Sequence, residues 1–457
     1  MGNFWTSKIS GLLSLMIVAF LCVGLLSTAR KANAVPSFSR QTGFACSSCH
    51  TNPPELTPLG RTFKLNGYTM QGLKTITAPS TKEKTSLSLL SYLPLSAQIE
   101  ISDTGLRTQQ PGSQNWNFSV PQDASIFLAG AYASHFGGFV QVTYDVQSDH
   151  FSWDNTDIRY SNNHQFKGKS FVYGIALDNN PGVEDLWNST PAWGFPWVAS
   201  PSAPGTAAAA VVDGTLAGDV AGIGGYAMWN DHLYGAATIY TSSHLGNPLP
   251  NSGAGFNFNI QGAAPYWRAA WQQSFGNNYL EFGTYGMHLR SAPQTASGPP
   301  TDSYTDVAAD WQWERVLPKV ANDLITIHGT YIHESSNLNA TFANEGSTFI
   351  AHDLNTFRVD GVYHIGYRLA PTFGYFVTTG TADPVLYAAA PLTGSRTFSP
   401  DSQGFIANIT YWPVQNVRLA VQYTAYTKFN GSGSNYDGSG RNASDNNSVY
   451  LHLGIIF

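Results

Sequence analysis

Charged residues are scarce in this sequence. Only 11% of the 457 residues are Asp, Glu, Lys or Arg, whereas soluble globular domains carry roughly a quarter. The formal net charge is -6, and no block of Lys or Arg occurs that would grip nucleic acid. The composition therefore argues against an ordinary cytosolic enzyme, and we expect no nucleic-acid partner.

Long hydrophobic runs are also missing, apart from one near the start of the chain. That run covers residues 11–26, follows Lys8 and precedes the small-x-small site Ala32–Ala34, which is typical of a secretory signal peptide. A retained membrane anchor is the alternative, but the run is shorter than the ~20 residues that a spanning helix needs. We expect residues 1–34 to be a signal peptide and the mature chain to begin at Val35.

Cysteine is rare as well, and only Cys46 and Cys49 lie in the expected mature chain. With His50 they form the C-x-x-C-H pattern of c-type haem attachment. Two thiols at this spacing can add to the two vinyl groups of one porphyrin, and the adjacent imidazole then lies beneath the iron. A local disulfide and half of a zinc site are the alternatives. We predict one covalently bound haem c, with His50 as the proximal iron ligand.

A second axial ligand has one candidate nearby. Met70 is the only methionine of the N-terminal segment, and a thioether ligand would raise the reduction potential of the haem. We therefore predict Met70 as the distal ligand. The alternatives are a methionine that only packs on the porphyrin, an open iron, or a ligand from elsewhere in the chain.

Residues 35–80 form the predicted haem domain. About 45 residues cannot build much of a core, so the porphyrin would supply part of it and a larger structure should shelter it. The polar segment Thr75–Thr85 is typical of a linker.

Residues 86–457 change to an alternation of period two, which predicts half-buried β-strands. In 138–146, for example, apolar and polar residues alternate along the segment. Sixteen such segments are predicted near 88–102, 123–134, 138–148, 152–160, 169–178, 217–229, 232–242, 263–275, 278–289, 303–315, 323–335, 352–364, 368–380, 402–412, 416–428 and 446–457.

Long and short connections alternate between these segments. Short ones include Asn230–Asp231 and Gly276–Asn277, while the connection at 148–152 is short where a long one is expected. The chain ends in an apolar-faced strand with the aromatic Phe457, like the assembly signal of outer-membrane barrels. We predict an all-β fold: an antiparallel outer-membrane barrel of about sixteen strands, with a soluble β-sandwich or β-helix as the alternative.

Scattered histidines and carboxylates occur along the predicted strands. His328, His333 and Glu334 could line a metal path, although such barrel residues are more often simple lumen or rim residues.

The N-terminal residues resemble a known family. The matching strings are Pro36–Gly43, Cys46–His50, Pro54–Arg61 and Phe63–Tyr68. They resemble the fused monohaem cytochrome-porins of iron-oxidising bacteria, and the barrel matches these in architecture, length and terminal strand. The resemblance implies that Cys46 and Cys49 hold the haem and that His50 ligates it.

The resemblance also implies a function and a location. Such proteins oxidise extracellular Fe(II) at the surface of a Gram-negative cell and pass the electrons inward to periplasmic carriers, such as a cytochrome c or a copper protein. The expected setting is therefore the outer membrane, in contact with its lipid. Two alternatives remain: a cytochrome-porin that serves another extracellular donor or acceptor, and a passive porin whose haem is structural.

Overall fold

The structure, a computed structural model, describes residues 36–70, 75–78, 87–146, 149–194, 199–243, 259–292, 300–318, 320 and 323–457. The expected signal peptide, residues 1–34, lies outside the described residues. Among the described residues, no helix is long and apolar enough to cross a bilayer.

Three short helices precede the strands: α1 (Pro36–Thr42), α2 (Cys46–Cys49) and α3 (Pro58–Leu65). Two small strands follow, β1 (Thr75–Ala78) and β2 (Leu87–Leu90), which pair with each other. A fourth short helix, α4 (Asn339–Ala343), lies in a loop.

The main sheet has seventeen strands, one of which, β10 (Asn259–Ile260), has only two residues, so sixteen strands form the wall. All neighbouring strands are antiparallel, and the sheet closes into a barrel because β19 pairs with β3 and β9 pairs with β11. The sixteen wall strands are β3 (Leu95–Leu106), β4 (Asn117–Ala133), β5 (Phe136–Asp145), β6 (His150–Phe166), β7 (Lys169–Asp178), β8 (Val220–Trp229), β9 (Leu233–Ser242), β11 (Ala264–Phe275), β12 (Asn278–Ala292), β13 (Asp302–Leu317), β14 (Asp323–Leu338), β15 (Ala351–His364), β16 (Leu369–Gly380), β17 (Ser402–Val414), β18 (Val417–Lys428) and β19 (Ser448–Ile456). The predicted sixteen-stranded antiparallel barrel is thus confirmed.

Side chains alternate across the wall as the period of two predicts. Leu177, Ile223 and Ile239 are register partners on three adjacent strands and are 44%, 59% and 51% exposed. Their neighbours Asp178 and Tyr240 point inward and are buried. A closed barrel with an apolar outer row satisfies all its backbone groups and suits a lipid surround, so the chain forms a porin-like outer-membrane barrel.

The connections at the two ends of the barrel differ in length. One end has short turns, among them 134–135, 365–368 and 415–416, and the other carries long loops such as 381–401. The exception is the β5–β6 connection, residues 146–149, which is short although it lies at the long-loop end. This part of the rim therefore carries no long loop.

The lumen is filled from both ends. Residues 36–70, which we call the plug, enter at the short-turn end, where the backbone N–H of Cys46 donates to Gln415 Oε1 at 2.8 Å. The described residues 179–194 and 199–219, which we call the inner loop, fold in from the other end. The two meet where Lys64 Nζ donates to the carbonyl oxygen of Val183 at 2.7 Å.

The segment between the plug and the barrel differs from the sequence prediction. Thr75–Thr85 was expected as a linker, but Thr75–Ala78 pairs with Leu87–Leu90. The first wall strand begins at Leu95 and not near residue 88. Pro94 precedes Leu95 and cannot donate a hydrogen bond to a neighbouring strand, so the strand predicted near 88–102 is interrupted there.

Because the side chain of Ile239 faces outward, a charge at this position should lower the stability of the barrel. Ile239→Arg places a cation among lipid tails, so we expect the free energy of unfolding from lipid vesicles to fall by about 2–4 kcal/mol if the site lies near the bilayer midplane. Urea titration followed by tryptophan fluorescence measures it, with Ile239→Leu as the control. An unchanged midpoint for Ile239→Arg would contradict the lipid-facing assignment.

Candidate haem-attachment site

The C-x-x-C-H segment, residues 46–50, forms one helical turn on the plug, which we call the CxxCH turn. Residues three apart lie on the same side of a helix, so Cys46 and Cys49 lie one turn apart on that side. Neither cysteine is in a disulfide, and both are partly exposed. Burial raises the pKa of Cys49, and the neighbouring Cys46 adds to this increase. Both cysteines are thus accessible, as thioether formation requires.

His50 is oriented as an iron ligand would be. Its Nδ1 lies 3.2 Å from the backbone oxygen of Glu55, and a carbonyl can only accept, so Nδ1 carries the proton. That leaves Nε2 with its lone pair, the arrangement in which histidines bind metals. Burial lowers the pKa of His50, which favours the neutral, ligating ring.

Helix α3 supports the CxxCH turn from behind. Thr57 caps it, with Oγ1 accepting from the Gly60 N–H at 3.2 Å and donating to the carbonyl oxygen of Ser48 at 2.6 Å. A Cβ atom on Gly60 would lie 2.3 Å from the carbonyl oxygen of Cys49. Only glycine allows this close packing, so the sequence of α3 fixes the position of the turn.

Two cavities flank the CxxCH turn. The first, which we call the CxxCH cavity, has a volume of about 740 Å³ including its open part, and Cys46 and His50 line it together with barrel residues such as Tyr367, Trp412 and Ile455. Because Tyr367 lies in a short turn, this cavity is at the short-turn end. Its wall is largely apolar, as a porphyrin face requires.

Cys49 and Met70 line the second cavity, which we call the Met70 cavity. Its volume is about 920 Å³ including its open part, and its wall includes Phe63 and His135. His135 lies in the β4–β5 turn, and its Nδ1 is 3.0 Å from the carbonyl oxygen of Ser161. Met70 therefore shares a cavity with Cys49 but not with His50.

These observations fit a c-type haem. Two cysteines at the right spacing and an imidazole with Nδ1 bonded to a carbonyl occur together in one turn, with apolar walls on both sides. The structure brings Cys46, Cys49 and His50 together; their roles in haem attachment, and Met70 as distal ligand, stay predictions.

A buried carboxylate, Glu55, connects the CxxCH turn to the wall. Its side chain is 2% exposed, and its oxygens lie 3.2 Å from His328 Nε2 and 3.2 Å from His364 Nε2. Thr51 Oγ1 also donates to it at 2.7 Å. Burial alone would raise the pKa of Glu55, but His364 and His328 hold it well below its usual value. Glu55, whose carbonyl oxygen orients the His50 ring, is thus bonded to the barrel wall. We call its contacts with His328 and His364 the Glu55 clamp.

Further ion pairs seat the plug. Arg61 Nη1 donates to Glu314 Oε1 at 2.5 Å, and its guanidinium lies 4.2 Å from the centre of the Tyr279 ring. Lys64 Nζ also donates to Asn188 Oδ1 at 2.9 Å. Burial lowers the pKa of Lys64 to about 7. The plug therefore bonds both to the wall and to the inner loop.

The inner loop is held to the wall by a buried arginine. Arg268 Nε lies 2.9 Å from Asp185 Oδ1, and Arg268 Nη2 lies 2.8 Å from Asp310 Oδ2. Ser189 Oγ donates to the same Asp310 oxygen at 2.6 Å. The inner loop is therefore bonded to the wall through Arg268 and to the plug through Lys64.

The suggested metal path through His328, His333 and Glu334 is not formed. His328 pairs with Glu55, His333 is half exposed at the rim, and Glu334 accepts from the Val211 N–H at 2.8 Å. Among the described residues, no group of three or more His, Cys, Asp or Glu side chains is arranged to hold a metal ion. Sequence reasoning also missed Glu55 and His364, because their proximity depends on how the plug sits in the barrel.

Comparison with solved structures finds bacterial porins and channels. Salmonella typhi OmpF in complex with daunomycin is 12% identical, with a TM-score of 0.46, over 79% of this chain and 97% of that one. The anion-selective porin from Comamonas acidovorans is 8% identical, with a TM-score of 0.48, over 79% and 98%. The channel DcaP of Acinetobacter baumannii is 12% identical, with a TM-score of 0.46, over 79% and 96%. These similarities concern the fold only, and no family model and no curated protein matches the chain.

The Glu55 clamp predicts that removing one charge loosens the plug. Glu55→Gln removes the carboxylate that His328 and His364 share, although His328 keeps its contact with Asp360 at 3.2 Å. Breaking such a buried pair costs about 3–5 kcal/mol. We expect limited proteolysis at the plug to accelerate while the barrel stays intact. The exposed Glu345→Gln is the control, and equal proteolysis rates for both variants would contradict the clamp.

Glu184 in the inner loop makes the stability of the folded protein depend on pH. Burial raises the pKa of Glu184 to about 7, so the folded state holds a proton that the unfolded state loses near its usual pKa. The resulting stabilisation is complete below pH about 4.5 and is lost as the pH rises through about 7. Unfolding midpoints measured across this range should fall with rising pH, and Glu184→Gln should flatten that part of the profile. A flat profile in the parent protein would contradict this assignment.

Proposed function

We propose that this protein is an outer-membrane cytochrome that oxidises extracellular Fe(II) and passes the electrons inward to periplasmic carriers. The observation that carries the proposal is the CxxCH turn inside a porin-like barrel, where Cys46 and Cys49 form no disulfide and His50 Nδ1 bonds to a backbone carbonyl oxygen. The resemblance of the plug sequence to fused cytochrome-porins supports the choice of Fe(II) as the donor.

The residues present would hold one haem c as follows. Cys46 and Cys49 would attach one haem c through thioether bonds, and His50 would ligate its iron. When bound, the haem supplies a one-electron centre that takes an electron from Fe²⁺, releasing Fe³⁺, and gives it to an oxidised carrier. The barrel contributes the clamp on Glu55 and the apolar wall around the CxxCH cavity.

The position of the site supports inward transfer. Short turns of outer-membrane barrels face the periplasm and long loops face outward. In this proposal the CxxCH cavity therefore lies at the periplasmic mouth and the long loops lie at the cell surface. A soluble carrier such as a cytochrome c or a copper protein would approach the cavity without entering the barrel.

The filled lumen argues against a passive solute pore. Plug and inner loop meet through Lys64, Val183 and Asn188, and Arg61 joins the plug to the wall at Glu314. A solute that crossed the lumen between plug, inner loop and wall would have to displace these bonds.

The experiment follows the haem absorption bands in outer membranes that carry the oxidised protein. The membranes are mixed anaerobically with Fe²⁺ at acid pH. Rapid reduction supports the proposal. A c-type spectrum that ignores Fe²⁺ but responds to dithionite favours another extracellular donor or acceptor, and no haem spectrum at all leaves only a porin.

Loss of the attachment residues should remove the haem and leave the barrel. For His50→Ala and Cys49→Ser, we expect loss of haem-dependent activity and of the normal c-type spectrum, with heat-modifiable migration of a folded barrel unchanged. Ser48→Ala, between the two cysteines, is the control. A barrel that no longer assembles in these variants would contradict the division into plug and barrel.

A further inference from the structure

We infer that Arg418 on the barrel wall binds a propionate carboxylate of the haem and thereby holds the porphyrin in the CxxCH cavity. This inference rests on the proposed function and assigns a further cofactor-binding residue to it. The predicted attachment residues all lie on the plug, so a contact with Arg418 would tie the haem to the barrel as well.

The two cavities beside the CxxCH turn differ in charge. A haem is flat and apolar except for its two propionate carboxylates, so its pocket needs apolar walls and a cation. Arg418 lines the CxxCH cavity, and the described residues around this cavity include no other Lys or Arg and no Asp or Glu. The described wall of the Met70 cavity contains no Lys, Arg, Asp or Glu. Of these two cavities, the CxxCH cavity is therefore the one that suits a carboxylate.

Arg418 shares this cavity with the predicted iron ligand, because His50 lines it as well. Cys46 lies near the rim, where its N–H donates to Gln415 in the short β17–β18 turn. Arg418 follows three residues later, inside β18. The vinyl and propionate groups of a haem lie on opposite edges of the ring. A porphyrin attached at Cys46 would therefore extend its propionates away from the turn, on the side where Arg418 lies.

Arg418 is held in place from behind by Glu100, which does not line the CxxCH cavity. Arg418 Nη2 donates to Glu100 Oε1 at 3.1 Å, and the arginine side chain is 20% exposed. Gln98 donates to the same carboxylate, and His452 Nε2 lies 3.4 Å from Glu100 Oε2. Three side chains thus fix the position of this carboxylate, and the carboxylate fixes the guanidinium.

Arg418 can bond a second carboxylate while it stays paired with Glu100. A guanidinium carries five N–H groups, and the bond to Glu100 uses one nitrogen, Nη2. Arg268, in the same lumen, pairs with both Asp185 and Asp310. We expect Arg418 to join Glu100 and a propionate in the same way.

Gly454 leaves room for both contacts. It lies on β19 between the two residues, paired with Arg418 on one side and with Glu100 on the other. A Cβ atom on Gly454 would lie 3.1 Å from His452 Cε1 and 3.8 Å from the Cβ atom of Arg418. Register partners point to the same face of a sheet, so a side chain here would stand between Arg418 and Glu100. The glycine keeps the ion pair and the cavity beside it open.

The test separates recognition of the carboxylates from packing against the ring. It uses the full-length chain with Cys46→Ser and Cys49→Ser, which form no thioether bonds, so that binding is reversible. Haemin and haemin dimethyl ester, in which both propionates are esterified, are each titrated and followed by the Soret band. Arg418→Gln, Arg418→Lys and the control Arg368→Gln are introduced separately. Arg368 is exposed at the same end of the barrel and does not line the CxxCH cavity.

We expect Arg418→Gln to weaken haemin binding about tenfold or more and to leave binding of the ester unchanged, because the ester cannot accept a charge-assisted bond. Arg418→Lys should retain part of the affinity, and the control should match the parent. Equal losses for haemin and the ester, no loss for either, or a parent that binds neither would overturn the role of Arg418.

A second measurement uses the full-length protein with its thioether-bound haem. A cation beside a haem favours the reduced state, because reduction adds an electron. Spectroelectrochemical titration should therefore show a lower reduction potential for Arg418→Gln and the parent potential for Arg368→Gln, and equal potentials in all three proteins would contradict the contact. Neither measurement contains Fe²⁺. A haem that responds to Arg418→Gln but is not reduced by Fe²⁺ would support this inference and defeat the proposed function.

Discussion

The buried carboxylate of Glu55 is the contact on which the site depends. Its backbone oxygen orients His50, and its side chain bonds to His328 and His364 on the barrel wall. A plug of 35 described residues has little core of its own, so its geometry must be imposed from outside. The barrel does this by satisfying one charge that could not otherwise be buried.

The rest of the lumen follows the same principle. Arginines and carboxylates too costly to bury alone are paired across three parts of the chain, as Arg268 shows between the inner loop and the wall. Such pairs specify one arrangement of plug and loop.

Local patterns in the sequence predicted much of this structure. The period of two predicted sixteen wall strands, although the first begins at Leu95 and not near residue 88, while the haem role of Cys46, Cys49 and His50 stays a prediction from their spacing. The clamp depends on contacts between residues far apart in sequence, such as Glu55 with His364. Nothing local in the sequence signals these contacts. The division at Pro94 was missed because the apolar pattern continues on both sides of it.

We propose that electrons from extracellular Fe²⁺ leave the protein at the short-turn end, through a haem on the CxxCH turn. The most direct measurement uses proteoliposomes with the long loops facing outward and an oxidised soluble cytochrome c trapped inside. Adding Fe²⁺ outside should reduce the trapped cytochrome with the parent protein and not with His50→Ala. Reduction at equal rates with both proteins, or with neither, would contradict the account.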